Sequence, residues 1–225
     1  MVVPVFFHPH PYKIFIPEGA GKIIIGTLPP PRFSLGKLKE RDVDFCYGSC
    51  DGMLWPVLDE IFHLKLRYDN SREAVKQRQD FLIREKLGIC DIVESCRRRK
   101  IDASDLGMAE IRLRNILQQL QLHPTIETLI FTGGNTKNGP EYLFRRQLKA
   151  FGLKLRCVSS DVPREHQFIF LKRVYTTISL TSPSNAANRA IGSNLLYKQQ
   201  KLQDSSYTTF SFRIDQYRKV FLLTK

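Results

Sequence analysis

The chain has 225 residues, of which 35 are Lys or Arg and 22 are Asp or Glu, so its formal net charge is +13. This length suits one large domain, with or without additions, and the 42% hydrophobic and 11% aromatic fractions exclude a wholly disordered chain. No apolar run approaches the roughly 20 residues that a membrane-spanning helix needs. The excess of positive charge predicts a polyanionic partner or, failing that, a solvated basic surface.

Five cysteines, at positions 46, 50, 90, 96 and 157, form an odd set without a Cys-x-x-Cys pair. Residues Met1 to Ile16 lack the features of a secretory signal. This segment and the cysteine pattern predict a cytoplasmic protein with reduced cysteines. Cys46, Cys50 and His63 could be zinc ligands, but no second closely spaced pair completes a set of four. We therefore expect no metal.

Prolines at 4, 9, 11 and 17 predict an irregular arm over residues 1–21. The apolar run Lys22 to Gly26 then predicts a buried parallel strand that breaks at Thr27-Leu-Pro-Pro-Pro31. Apolar residues at helical spacing predict helices over 55–66 and 71–86, the second capped by Ser71.

Further along the chain, residues 88–93 predict a second strand, and Ile111, Leu113, Ile116, Leu117 and Leu120 predict a helix over 104–122. The remaining predicted elements are a third strand over 127–132, a helix over 140–151, an extra or edge strand over 168–174 and a fourth core strand over 175–180. The tail from Tyr207 alternates apolar and polar residues, which predicts a terminal strand or a packing arm.

Strands that alternate with helices of this length predict a three-layer α/β/α sandwich around a central, mainly parallel four-stranded sheet. We expect an N-terminal arm (1–21), one α/β domain (22–195) and a C-terminal extension (196–225) that packs on it, in a monomer.

Three loops follow core strands at the same edge of this sheet, where open α/β sheets bind their ligands. They are a first loop (26–32), a second loop (133–138) and a closing loop (181–189). Asp91, at the end of the second strand, points to the same edge. Burying an unpaired carboxylate is costly, so Asp91 should either cap a backbone group or meet a ligand.

In this order, the segments resemble the uracil-DNA glycosylase superfamily, and most closely its hypoxanthine-DNA glycosylase and mismatch-specific branch. The resemblance spans roughly residues 8–195. Its four parts are His8-Pro-His-Pro leading into Lys22 to Pro29, Phe45-Cys-Tyr-Gly48 followed by Leu54-Trp-Pro-Val-Leu58, Gly88 to Cys96 with Ile101 to Leu106, and Thr181-Ser-Pro-Ser-Asn185.

The resemblance implies a monofunctional, cofactor-independent DNA glycosylase that hydrolyses the N-glycosidic bond of uracil or hypoxanthine after the nucleotide has rotated out of the duplex. Tyr47 would stack on the base, and Asp91 would accept a hydrogen bond from a ring N–H that cytosine lacks. The other residues implied to line the base pocket are Gly26, Thr27, Leu28, Pro29 and Asn135. Those implied to approach the DNA are Thr181, Ser182, Pro183, Ser184, Asn185 and Arg189.

Catalysis is where the chain departs from the resemblance, which implies an Asp or Asn in the first loop or an Asn just before the first helix. This chain has Thr27 and Leu28 in the first loop and Gly52 before the helix. We predict that Asp51, beside Gly52, orients the water or stabilises the sugar cation.

Plainer interpretations stay open at each of these positions. Asp51 and Gly52 could simply form a turn, Tyr47 could pack in the core, and the basic run Arg97 to Lys100 could be solvated surface instead of a grip on DNA. The chain would then be a catalytically idle protein that binds DNA lesions, or an α/β protein that handles a small nucleotide or nucleoside in the same cleft.

Overall fold

The computed structural model describes residues 5–222. Its strands are β1 (Phe6–Pro9), β2 (Lys22–Gly26), β3 (Leu87–Asp91), β4 (Val93–Arg98), β5 (Met108–Leu113), β6 (Thr128–Phe131), β7 (Arg156–Ser159), β8 (Arg164–Phe170) and β9 (Arg173–Ser179). Its helices are α1 (Pro31–Ser34), α2 (Leu54–Phe62), α3 (Arg72–Arg84), α4 (Ile116–Leu122), α5 (Pro140–Ala150), α6 (Asn188–Ser193), α7 (Leu195–Gln203) and α8 (Thr209–Leu222), with short 3₁₀ turns at Asp105–Gly107 and Asn185–Ala187.

The larger sheet has the strand order β3-β2-β6-β9-β8-β7. Its first four strands are parallel to one another, as the sequence predicts, and β8 and β7 extend it in antiparallel fashion. The register pairs Gly26 with Asp91 at the carboxyl edge, so the end of β2 and the end of β3 lie side by side.

Helices cover both faces of this sheet, which confirms the three-layer architecture. Successive side chains of a strand point to opposite faces, and in β2 the buried Ile24 belongs to a core with Trp55 of α2 and Tyr217 of α8. Its neighbours Ile23 and Ile25 belong to a second core on the other face. That second core includes Leu117 of α4 and Phe144 of α5.

A second, antiparallel sheet with the order β1-β4-β5 stands beside the first. The prediction of an irregular arm over residues 1–21 is therefore wrong for Phe6–Pro9, which pair with β4. Further along the arm, Phe15 and Ile89 exchange backbone hydrogen bonds, so the arm runs along the outer edge of β3.

The helix predicted over 104–122 is wrong in its first half. Residues 108–113 form β5, because they pair with β4, and the local apolar spacing does not reveal this pairing. Only Ile116–Leu122 are helical. The side chain of Asn115 accepts a hydrogen bond from the backbone N–H of Gln118 and so caps this shorter helix.

The edge strand predicted over 168–174 is also wrong, since the chain reverses in the middle of that segment. Leu171 and Lys172 have positive φ values of 50° and 62° and form the turn between β8 and β9.

The tail, for which a strand or a packing arm was predicted, forms the long helix α8, which packs against α2. The cap of the second predicted helix is confirmed, because Ser71 Oγ accepts a hydrogen bond from Ala74 N at the start of α3. Within residues 5–222, no helix is long and apolar enough to cross a membrane.

Candidate active site at the carboxyl edge of the sheet

The candidate site centres on Gly26, the last residue of β2. A Cβ at this position would lie 2.1 Å from the hydroxyl oxygen of Tyr47 and 2.2 Å from Asp91 Oδ1. Only a glycine therefore lets both groups approach the backbone here. The structure thus brings together three of the predicted base-binding residues, Gly26, Tyr47 and Asp91, from three separate segments of the chain.

The carboxylate of Asp91 is fixed by a histidine from the N-terminal arm. His10 Nε2 lies 2.8 Å from Asp91 Oδ2, and both side chains are buried, with exposed fractions of 1% and 5%. Because Tyr12 N donates to His10 Nδ1 at 3.0 Å, Nδ1 is the acceptor and Nε2 carries the proton that is donated to Asp91. The other oxygen, Oδ1, faces Gly26 and makes no hydrogen bond within the described residues.

Tyr47 is half-buried, and its hydroxyl lies 2.8 Å from Thr132 Oγ1 at the end of β6. Burial raises the pKa of this phenol well above its usual value, which keeps it neutral. Its backbone adopts the left-handed conformation, with a φ of 57°. The phenol therefore forms a wall that joins the ends of β2 and β6, and its hydroxyl occupies part of the space beside Asp91.

Sequence reasoning missed Asp105 as a member of this edge. Thr27 Oγ1 donates to Asp105 Oδ2 at 3.2 Å, and Asn138 Nδ2 donates to the Asp105 carbonyl at 2.9 Å. Burial raises the pKa of Asp105 to about 6, against the lowering effects of the Thr27 hydrogen bond and of Arg98. The segment Ile101 to Leu106 was part of the resemblance and contains Asp105, but the helix predicted over 104–122 placed this carboxylate away from the site.

The carboxylate of Asp51 lies on the surface, apart from the cluster around Gly26. Its Oδ2 lies 2.8 Å from Lys39 Nζ and 3.1 Å from Arg32 Nη2, and the side chain is 56% exposed. These cations lower the pKa of Asp51. The neighbouring Gly52 forms a β-bridge with Ser184, which brings the segment before α2 into contact with the closing loop.

The closing loop is held from beneath by α8. Arg213, which is fully buried, donates to the carbonyl oxygens of Ser182 and Ser184 at 3.0 and 2.7 Å. Gln216 accepts from Thr181 N and Tyr217 donates to Thr181 O. Pro183 is buried and accepts a backbone hydrogen bond from Met53.

The other predicted site residues lie at the margin of this edge. Pro29 is buried, Leu28 is half-buried against the second core, and Asn135, Asn185 and Arg189 are exposed. The backbone of Gly134, the residue before Asn135, lies close to the Arg164 side chain, since a Cβ on Gly134 would lie 2.7 Å from Arg164 Nη2. The second loop thus crosses over the Arg164 guanidinium and leaves the Asn135 side chain outside.

A cavity of about 460 Å³ adjoins the site, and Tyr47, Gly48 and Gly52 line part of it. Its lining residues are mixed in charge and include Arg41, Trp55, Asp59, His63 and Tyr68. Cys46 and Cys50 are both free thiols, the first buried and the second exposed. Over residues 5–222, no group of three or more His, Cys, Asp or Glu side chains could hold a metal ion.

No known family profile matches the chain, and no curated protein matches it. A solved structure with a similar fold is the solution NMR structure of a Methanosarcina acetivorans protein provisionally described as a uracil DNA glycosylase. The two chains are 14% identical and align with a TM-score of 0.52 over 93% of this chain and 99% of the other. The likeness confirms the predicted fold; at this identity it concerns the fold alone.

Proposed function

We propose that this protein is a monofunctional DNA glycosylase that releases uracil or hypoxanthine from DNA. The observation that carries the proposal is the buried Asp91 carboxylate, which His10 fixes at 2.8 Å beside Gly26 at the ligand-binding edge of the sheet. Asp91 Oδ1 is left to accept a hydrogen bond from the ring N–H of a deaminated base. Cytosine has no hydrogen on the corresponding ring nitrogen, so it would leave this buried acceptor unpaired.

The base would reach Asp91 only after the nucleotide has rotated out of the duplex, at a cost of a few kcal/mol of unstacking. Tyr47 would support it, since a tyrosine face stacks on any base ring. The backbone of Gly26 to Pro29 and the exposed Asn135 would border the pocket. The closing loop, from Thr181 to Asn185 with Arg189, would lie against the phosphates.

In the reaction, the oxygen of a water molecule forms a bond to C1′ of the deoxyribose while the bond from C1′ to the base nitrogen breaks. The electron pair of that bond leaves with the base, and the proton that the water loses passes to a carboxylate and then to the base. The carboxylate also stabilises the positive charge that develops on the sugar. We assign this role to Asp51, the carboxylate beside Gly52, and name Asp105 as the competing carboxylate because it contacts Thr27, the residue next to Gly26.

The decisive experiment measures base release from oligonucleotides that contain uracil, hypoxanthine, xanthine or a mismatch. We expect release of uracil or hypoxanthine by the wild type and its loss in Asp91→Ala. Gly26→Ala should lose it too, because the added methyl group displaces Tyr47 and Asp91. The matched control is Gly21→Ala, just before the same strand, where a Cβ meets nothing within 4 Å.

Asp51→Ala and Asp105→Asn, assayed side by side, separate the two carboxylates. Loss of release in the first variant alone supports Asp51, and loss in the second alone moves the role to Asp105. Absence of base release by the wild type from all four substrates would overturn the proposed activity.

A catalytically idle DNA-binding protein is the second candidate, and Gly52 favours it. The resemblance implies an Asn at this position, whereas Gly52 has no side chain and its backbone is bridged to Ser184. Salt-sensitive binding to lesion-containing DNA without base release would support this candidate. Binding of mononucleotides but not of duplex DNA would instead indicate a nucleotide- or nucleoside-handling protein.

A further inference from the structure

The loop between β4 and β5, residues 99–107, carries two large apolar side chains into solvent. Ile101 and Leu106 are each 67% exposed. Isolated exposed apolar residues are common, but these two belong to one loop of nine residues that also carries the exposed Arg99 and Lys100. Apolar tips flanked by cations are suited to a partner that offers both phosphates and stacked rings.

This loop is tied to the candidate site by two hydrogen bonds, and a third holds it to the end of β4. Asp105, next to Leu106, accepts from Thr27 Oγ1 of the first loop, and its carbonyl accepts from Asn138. At the other end of the loop, Arg98 Nη1 donates to Ser104 O at 2.6 Å. Leu106 is therefore held within one residue of a contact to the predicted base pocket.

The closing loop offers no comparable side chain. Leu180 is 2% exposed, Pro183 is buried, and the positions that do reach solvent include only the small Ala186 among apolar residues. A nucleotide that leaves the duplex leaves a gap in the base stack, and proteins that distort DNA commonly fill such a gap with Leu, Ile, Phe, Met or Pro. The closing loop cannot supply this plug.

We propose that the β4–β5 loop is the wedge that enters the DNA base stack, with Leu106 as the side chain that fills the vacated position. Ile101 supports it, and Arg99 and Lys100 contact the phosphates on either side. The inference rests on the proposed function for its partner, duplex DNA from which one nucleotide is extruded. It assigns to residues 99–107 a role in extrusion that is separate from recognition of the base.

The test compares base release from duplex and from single-stranded oligonucleotides that carry the same lesion. A single strand has no opposite partner and no gap to fill, so we expect Leu106→Ala to slow release from the duplex by about tenfold, or 1.4 kcal/mol, and to change single-strand release by less than about twofold. Leu106→Met keeps a long apolar side chain and should retain the duplex rate. Because Leu106 is 67% exposed, neither variant removes core packing.

The matched control is Leu195→Ala on α7, where a leucine is 73% exposed. An unchanged rate for Leu106→Ala, an equal loss on both substrates, or a loss in Leu195→Ala instead would each overturn the wedge.

Fluorescence of 2-aminopurine placed beside the lesion distinguishes failure of the wedge from failure of the proposed activity. The base brightens when its neighbour unstacks, whether or not a bond is cleaved. A rise on binding of the wild type that Leu106→Ala abolishes supports the wedge even if no base is released. Base release from a duplex without such a rise, or no rise and no DNA binding at all, overturns it.

Discussion

At the scale of single residues, the candidate site holds carboxylates under different constraints. Asp91 is buried and fixed by His10. Asp105 is half-buried beside a hydroxyl and near Arg98, with Asp91 as a second negative charge in its surroundings. Asp51 is exposed and held by two cations. Carboxyl groups with a pKa near 6 are common at functional sites, where burial and neighbouring charges raise the pKa. The raised pKa lowers the stability of the folded state.

The cost at Asp105 gives a testable pH dependence. The pKa of Asp105 rises from 3.8 to about 6 on folding, so the folded state disfavours its ionised form. This destabilisation is nearly absent below about pH 4, grows as the pH rises from about 4 to about 6 and is complete above that. We expect Asp105→Asn to raise the free energy of unfolding by about 2 kcal/mol at pH 8 and by close to nothing at pH 4.

Urea unfolding at the two pH values measures this difference. Asp102→Asn is the control, because it removes a charge from the same loop at an exposed position, and we expect its effect to stay within about 0.5 kcal/mol. An Asp105→Asn variant that is less stable than the wild type at pH 8 would contradict a pKa of Asp105 raised by desolvation.

At the scale of elements, the sequence predicted what depends on local periodicity and on strand order. β2 and the Ser71 cap follow from short local patterns, and convergence of the loops follows from the parallel arrangement of the strands. β5 was missed because the spacing of Ile111 and Leu113 fits a helix until β4 is known as a partner. His10 was missed as the partner of Asp91 because the two are 81 residues apart in the chain.

The turn at Leu171 and Lys172 carries no glycine or asparagine, so no local signal marks it. Asp105 was missed for the same reason as β5, since the contact with Thr27 exists only once the β4–β5 hairpin has formed. The candidate site residues that could be predicted from the sequence lie at the ends of parallel strands. The site residues from the second sheet and the N-terminal arm depend on non-local pairing, so the sequence could not predict them.

Helix α8 determines the shape of the closing loop, although the tail gave no hint of this role. Arg213 contacts Ser182, Ser184 and Asn188 from a fully buried position. Hydrogen bonds from a charged donor contribute about 1.5–3 kcal/mol each, and carbonyl groups left without donors add a further cost. The loop should therefore lose its fixed conformation when this guanidinium is removed.

We expect Arg213→Ala to destabilise the protein by about 2–4 kcal/mol and to expose the backbone amides of residues 181–188 to hydrogen exchange. Arg218→Ala is the control, since Arg218 lies on the exposed side of the same helix. Native-state hydrogen exchange followed by mass spectrometry resolves the two effects. Unchanged protection of residues 181–188 in Arg213→Ala would show that the loop holds its conformation without α8.

At the scale of the whole molecule, the contribution of the net charge of +13 to DNA binding depends on where the cations lie relative to the candidate site. Arg99 and Lys100 are exposed and lie on the loop that Asp105 ties to Thr27, so the proposed function places them near the bound DNA. Lys149 and Lys154 lie at and beyond the carboxyl end of α5, a helix whose amino end follows the second loop. This pair is therefore at the opposite end of the domain.

The slope of log affinity against log salt should separate these two pairs. Each phosphate contact contributes about −0.9 to that slope for duplex DNA. If both cations of the β4–β5 loop contact phosphates, the double variant Arg99→Gln/Lys100→Gln should reduce the magnitude of the slope by about 1.8, whereas Lys149→Gln/Lys154→Gln, with the same change in net charge, should leave it unchanged. Fluorescence anisotropy with a labelled duplex over a salt series measures both slopes. Equal reductions in the two variants would mean that DNA senses only the total charge, and the approach along the β4–β5 loop would have to be given up.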